Sequence, residues 1–323
     1  MSRTPKEQLI HFLSDMYSVE QQALAQLAPA PDIAGDPKLA AAFRQHHEET
    51  EHQAELVRER LEAHGGSPSA IKDAVMKLGG KGFLLFAQVQ PETPGRLIDH
   101  AYAYEAMEFA GYAMLVGFAE LAGDRRTIEV AKQIGTEERA MMERLEREFD
   151  TAEQVSHGIT PSDELPFHVA KHLAEAHAFE SQGIQLFQKS EEIGGNSTLT
   201  TLYRELLSQT RRHAQLVEQR LEALGSATST LKDAALATGG VNWGLFFQAQ
   251  SDTPAKLAAF VYAFLHLEIG GYELLKRTAR RADDEQTRLS CETILGEKRQ
   301  MTHNLADVFA HAVQFTSVQL AGN

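Results

Sequence analysis

Glutamate stands on four helix stripes where apolar residues belong. Glu20 falls among Leu9, Leu13, Met16, Ala23 and Leu27, Glu108 among Leu97, Ala101, Tyr104, Tyr112 and Leu115, and Glu137 among Val130, Ile134, Met141 and Leu145. Spacings of three and four assign these positions to the core side of a helix. Glu49 joins them from the stretch HHEETEHQAEL, residues 46 to 56. Ionised carboxylates in an apolar core repel one another, and desolvating each costs several kcal/mol. The chemistry this implies is cation binding. Glu49 and His52 form Glu-x-x-His, the i,i+3 spacing that lets a carboxylate and an imidazole reach one metal from one helix. Glu105, one turn before Glu108, adds a fifth carboxylate. An oxygen-rich set with one imidazole suits one or two iron or manganese ions better than a structural zinc.

Neighbouring polar residues have plainer readings. His46, His47 and Glu51 are expected in water or hydrogen-bonded behind the ligands, and Glu138 is expected at the surface. His168, His172 and Glu175 also have helical spacing, which an exposed helix face explains.

The stripes define the elements that must position these residues. One helix ends near Leu27, before APAPDIAGDP, and a second runs from about Lys38 to His64 and stops at Gly65-Gly66. A third follows Pro94 and ends near Gly123, and a fourth carries Val130 to Phe149. Strand-like alternation is missing, so the fold class is all-α. At a rise of 1.5 Å per residue, Glu20 and Glu49 differ in height by about 5 Å, and Glu108 and Glu137 by about 3 Å. One layer can hold all four. Short loops make hairpins of the first and second pairs of helices. The stretch from Gly65 to Pro94 is long enough to cross the bundle and to carry one or two short helices. One long crossover between two hairpins is the ferritin-like arrangement.

The chain of 323 residues repeats itself. RERLEAHGGSPSAIKDAVMKLGG from Arg58 is answered by EQRLEALGSATSTLKDAALATGG from Glu218, an offset of 160 held from Leu13/Leu173 to Phe149/Phe309 without insertion. The expected organisation is a bundle over 1–150, a linker over 151–165 and a second bundle over 166–323. A net charge of −14 disfavours nucleic acid and anionic membranes as partners and favours cations. The single cysteine, Cys291, leaves no intramolecular disulfide. The start MSRTPKEQLIHF lacks a signal-peptide pattern, and GFLLFAQV is far shorter than the ~20 residues of a spanning helix, so a soluble cytoplasmic protein is expected.

The chain resembles a tandem copy of the bacterial ferritin-like domain of the YciE and YciF stress-associated proteins. The matching features are Glu20 with Ala23, the H-x-x-E-T run His46 to Thr50, the segment Leu61 to Asp73, the run EAMEFAGY from Glu105 to Tyr112, and EERA from Glu137 to Ala140. The resemblance covers nearly the whole chain, once per copy. It implies a four-helix bundle related to ferritins and rubrerythrins, a di-metal site and an association with stress responses. Glu20, Glu49, His52, Glu108 and Glu137 fit the ferritin-like ligand pattern, and Glu105 resembles the extra carboxylate of rubrerythrins. Ala140 stands where that pattern has a second histidine, which tells against a symmetric di-iron centre.

In the second copy Glu180, Glu268 and Glu297 recur, while Glu49 becomes Gln209, His52 becomes Arg212 and Glu105 becomes Leu265. Arg212 is expected to satisfy the three carboxylates without metal. A small helix rotation would instead bring His213 inward with Glu180 and Glu297 and restore a degenerate site. The functional expectation is a metalloprotein, an oxidoreductase if it catalyses anything, with Glu20 and Glu137 as terminal ligands, Glu49 and Glu108 bridging and His52 a nitrogen ligand. The alternative is a non-enzymatic helical module that binds a partner and no metal. The two copies are expected to pack as a covalent pseudo-dimer.

Overall fold

The computed structural model describes residues 3–67, 94–193, 195–225 and 253–322, and all regular structure in them is helical. The first copy contributes α1 (Pro5–Leu27), the short α2 (Ala30–Ile33), α3 (Pro37–Ala63), α4 (Pro94–Ala122) and α5 (Arg125–His157). The second contributes α6 (Leu165–Ile193), α7 (Ser197–Ala223), α8 (Thr253–Arg281), α9 (Glu285–Ala306) and α10 (Phe309–Gly322). Each copy is a four-helix bundle. The two crossovers expected to hold short helices lie outside the described residues. No described helix is long and apolar enough to cross a membrane.

Local signals set the helix ends. Thr4 and Glu7 form a capping box ahead of Pro5, with Glu7 N donating to Thr4 Oγ1 at 3.3 Å and Thr4 N to Glu7 Oε2 at 2.7 Å. Asp36 caps α3 by accepting from Lys38 N and Leu39 N, both at 2.9 Å. Gly65, at φ +82°, closes α3, with Gly66 N donating to Leu61 O and Gly65 N to Glu62 O. A clamp fixes α3 against α5: Arg60 donates to Asp124, the cap of α5, at 2.9 Å and to Thr127 Oγ1 at 3.0 Å. The same clamp recurs as Arg220 on Asp284 and Thr287, so both copies share one helix height.

The stretch expected as a linker is half helix. α5 continues to His157 because residues 151–157 contain no glycine or proline and have partners. Ala152 is fully buried, Arg281 Nη2 reaches Glu153 Oε2 at 2.6 Å, and Ser156 Oγ accepts from Gly95 N at 3.1 Å. In the second copy α9 stops at Ala306 and α10 takes over, Thr316 Oγ1 accepting from Ala255 N at 3.0 Å as Ser156 does from Gly95.

The copies meet along α4 and α8. α4 is buried along most of its length, since one face serves its own bundle and another lies on α8. Tyr102 packs on His266 and Phe109 on Tyr262, with ring centroids 5.3 and 5.9 Å apart. Arg96 pairs with Glu175, and Lys256 pairs with Asp15 at 3.1 Å. These are one contact taken in both directions, because the offset of 160 carries Arg96 to Lys256 and Asp15 to Glu175.

One seam contact is asymmetric. Asp99 of α4 is buried, its Oδ1 has no hydrogen-bond partner, and burial holds its carboxyl well above the usual range. It lies so close to α8 that a Cβ at Gly270 would stand 2.1 Å from that oxygen. Gly270→Ala is therefore expected to destabilise the chain by about 1–3 kcal/mol through overpacking. Adding Asp99→Ala should recover most of the loss in thermal melts; equal melting of G270A and wild type would show that the seam is looser than this.

Candidate metal centre

Each helix of the first bundle delivers at least one buried ionisable side chain to its centre. α1 brings Glu20, α3 brings His46, α4 brings Glu105 and Glu108, and α5 brings Glu138, none more than 2% exposed. His46 Nε2 lies 2.9 Å from Glu105 Oε2 and 3.9 Å from Glu138 Oε2. One donor atom from each of His46, Glu105 and Glu138 fits within a mutual distance of 4.8 Å, the one such His/Cys/Asp/Glu group among the described residues. Tyr112 Oη donates to Glu20 Oε1. Glu20 Oε2, Glu108 Oε1 and both oxygens of Glu138 are buried without a hydrogen-bond partner.

So dense an acid set cannot stay ionised by itself. Burial lifts Glu20 to about 8, against the pull of the Tyr112 hydroxyl and with a push from the Glu105 charge. Burial raises Glu108 and Glu138 well above the carboxylate range, and the surrounding carboxylates add to it. Burial opposes the His46 imidazolium, but Glu105, with help from Glu49, outweighs it and takes the group up to about 9. The orphaned oxygens and the charge that burial suppresses both fit a cation.

Three of the six residues singled out in this copy, Glu20, Glu105 and Glu108, are in the cluster. Three are not. Glu49 is part exposed and lies behind the cluster, its Oε2 3.4 Å from His46 Nδ1. His52 is exposed. Glu137 is part exposed and accepts from Gln53 Nε2 and Gln133 Nε2, both at 3.0 Å. Helix phase is the reason. The buried line of α3 runs Phe43, His46, Thr50, Gln53, Val57, and that of α5 runs Ile134, Glu138, Met141, Leu145. Residues 49, 52 and 137 each stand one position earlier, a rotation of about 100°. Extending Leu39 and Phe43 toward Val57 by steps of three and four leads to His46. Glu138 had a weaker signal, since 137 and 138 both satisfy the spacing from Ile134 to Met141.

The second copy solves the charge problem differently. Glu180 and Glu268 are buried, and Tyr272 Oη donates to Glu180 Oε1 at 2.7 Å. Lys298 stands at the position of Glu138 and is fully buried, its Nζ 3.0 Å from Glu180 Oε1 and 2.9 Å from Glu268 Oε2. Burial works against the ammonium, but the two carboxylates hold its pKa above the ordinary lysine value. Arg212, expected among the three carboxylates, instead lies half exposed and of the three reaches only Glu297, at 3.2 Å, its other contact being the Ser208 carbonyl. It precedes the buried position by one residue, as His52 does. His213 occupies that position, with Nε2 3.0 Å from Glu297 Oε2 and Nδ1 3.8 Å from Glu180 Oε1.

Two all-α four-helix bundles in tandem, the first with acids gathered at its centre, define a duplicated ferritin-like protein. The chain belongs to the family described as Domain of unknown function (DUF892), which matches residues 4–155 and again 168–316. Protein YciF of Escherichia coli (strain K12) is 32% identical over 146 residues, 43% of this chain and 86% of that protein. No solved structure matches.

Proposed function

We propose that the first copy is a metal centre for one or two iron or manganese ions, held by Glu20, His46, Glu105, Glu108 and Glu138, in a cytoplasmic, stress-associated protein. The second copy, its degenerate partner in a covalent pseudo-dimer, carries its own cation. The observation behind this is Lys298. At equivalent heights in the two bundles, one copy sets an ammonium between Glu180 and Glu268, while the other keeps their counterparts Glu20 and Glu108 and replaces the ammonium by a further carboxylate. An added cation restores the balance that the lysine supplies in the second copy.

An oxygen-rich set with one imidazole and no thiolate favours iron or manganese. When bound, such an ion supplies positive charge and access to one-electron chemistry. The chain's own groups prepare for it. Tyr112 fixes the rotamer of Glu20, and Glu49 takes one ring nitrogen of His46 and leaves Nε2 facing the acids. Gln53 and Glu137 tie α3 to α5 beside them. Symmetric ion pairs at Arg96–Glu175 and Lys256–Asp15 support the pseudo-dimer.

Elemental analysis of the full chain, purified without chelator and then loaded with Mn2+ or Fe2+, tests this. About one or two ions per chain are expected, lost in E108Q/E138Q. No uptake after loading, with an unchanged melting temperature, would favour the alternative of a metal-free helical module whose acids stay protonated. The raised pKa values of Glu20, Glu108 and Glu138 allow that state.

A further inference from the structure

Three imidazoles meet where the copies join. His157 is the last residue of α5, and His168 and His172 lie one turn apart on α6. The exposed helix face expected for His168, His172 and Glu175 is instead part covered, by His157 from α5 and Arg96 from α4. The ring of His157 is 4.7 Å from that of His168 and 5.7 Å from that of His172, centroid to centroid. Two imidazoles on one tetrahedral ion, with metal–nitrogen bonds of 2.0–2.1 Å, have centroids about 5.2 Å apart. The observed separations lie on either side of that value.

Two further features point the same way. His-x-x-x-His on a helix sets two imidazoles on one face, toward a single metal. Glu175 Oε2 stands 3.5 Å from His172 Nδ1 and is itself held by Arg96. A carboxylate on one ring nitrogen orients the ring and leaves the other nitrogen free to coordinate.

We propose that His157, His168 and His172 form a separate metal site at the junction of the two copies, selective for a divalent ion of the zinc, nickel or copper class, with Glu175 orienting His172. An all-imidazole set prefers these ions, whereas the carboxylate-rich bundle prefers iron or manganese. The ring nitrogens of the three histidines do not all come within 4.8 Å of one another, as the donor atoms of His46, Glu105 and Glu138 do, so the ion must draw the rings together by side-chain rotation. Once bound, it ties the end of α5 to the start of α6 across residues 158–164, and through Glu175 and Arg96 to α4. The site stands independently of the bundle centre.

Zinc binding to the full chain, stripped with chelator and titrated in equilibrium dialysis, tests the proposal. Wild type and E108Q/E138Q should both retain a zinc that H168Q/H172Q binds at least about tenfold more weakly. H157Q alone should also weaken it, and zinc should raise the melting temperature of wild type but not of H168Q/H172Q. Co2+ should give the visible absorption of tetrahedral nitrogen ligation in wild type and lose it in the histidine variants. Equal zinc binding by wild type and H168Q/H172Q, or zinc lost from E108Q/E138Q and kept by the histidine variants, overturns the site.

Discussion

Lys298→Ala is expected to lower the stability of the second bundle by about 3–5 kcal/mol, the range for removing one partner of a buried ion pair. The ammonium is fully buried, and its removal leaves Glu180 and Glu268 facing each other with no counter-charge. For a cooperative unit of this size the fall in melting temperature is roughly 6–20 °C. Arg212→Ala is the control. Its side chain is 53% exposed and pairs with a part-exposed carboxylate, so its loss should cost less than about 1 kcal/mol. Two additions separate lost charge from lost volume. K298M combined with E180Q and E268Q, which removes cation and anions together, should recover most of the loss. Mn2+ should also raise the melting temperature of K298A, because the vacated carboxylates can then share an external ion. If K298A melts with wild type, Lys298 is not the counter-ion and the comparison of copies loses its force.

The second large effect is in the sign of the pH dependence. In metal-stripped protein Glu20 binds its proton up to about 8, whereas in the unfolded chain it ionises near 4.5. Between these values the folded state holds more protons, so stability falls as pH rises. Glu108 and Glu138 act in the same direction. The raised value of His46 gives stability that is complete below 6.5 and lost as pH climbs to about 9. Lowered carboxylates such as Glu49 lose their contribution only as pH falls below the ordinary range, outside this window. Burial holds His157, His213 and His266 below the ordinary 6.5, so these three add stability as pH rises toward 6.5 and no more above it. Metal-stripped protein should therefore melt at steadily lower temperature from about pH 7 to about pH 9. Metal reverses the trend, since ligands must shed protons to bind it and binding strengthens with pH. The gap in melting temperature between Mn2+-loaded and chelator-treated protein should widen over that range, and E108Q/E138Q should flatten both curves. A stripped protein that gains stability from about pH 7 to about pH 9 would contradict the buried acid set.

Both predictions rest on residues whose inward facing was only partly visible in the primary structure. The stripe Leu9, Leu13, Met16, Glu20 placed Glu20 correctly, because the apolar residues on either side leave it one phase. α4, apolar all round, admitted Glu105 and Glu108 alike. On α3 and α5 the polar runs HHEETEH and EERA offered adjacent candidates with nothing apolar between them to decide, and there His46 and Glu138 point inward rather than His52 and Glu137. The same ambiguity put Arg212 in the role that Lys298 fills.

Read alone, the chain determined its helical class, the offset of 160, the helix ends near Leu27, Gly65 and Gly123, and the presence of more acid than an apolar core tolerates. These follow from local rules: periodicity, capping and the cost of burying charge. Only the tertiary structure decided which neighbours of each acidic run face inward, that a buried lysine takes the place of a buried acid in the second copy, and that α4 and α8 form the seam. An apolar stripe spans 100° or more of a helix, the same angle as one residue's rotation. Adjacent residues therefore compete for the interior, and the packing of the other helices settles which of them enters.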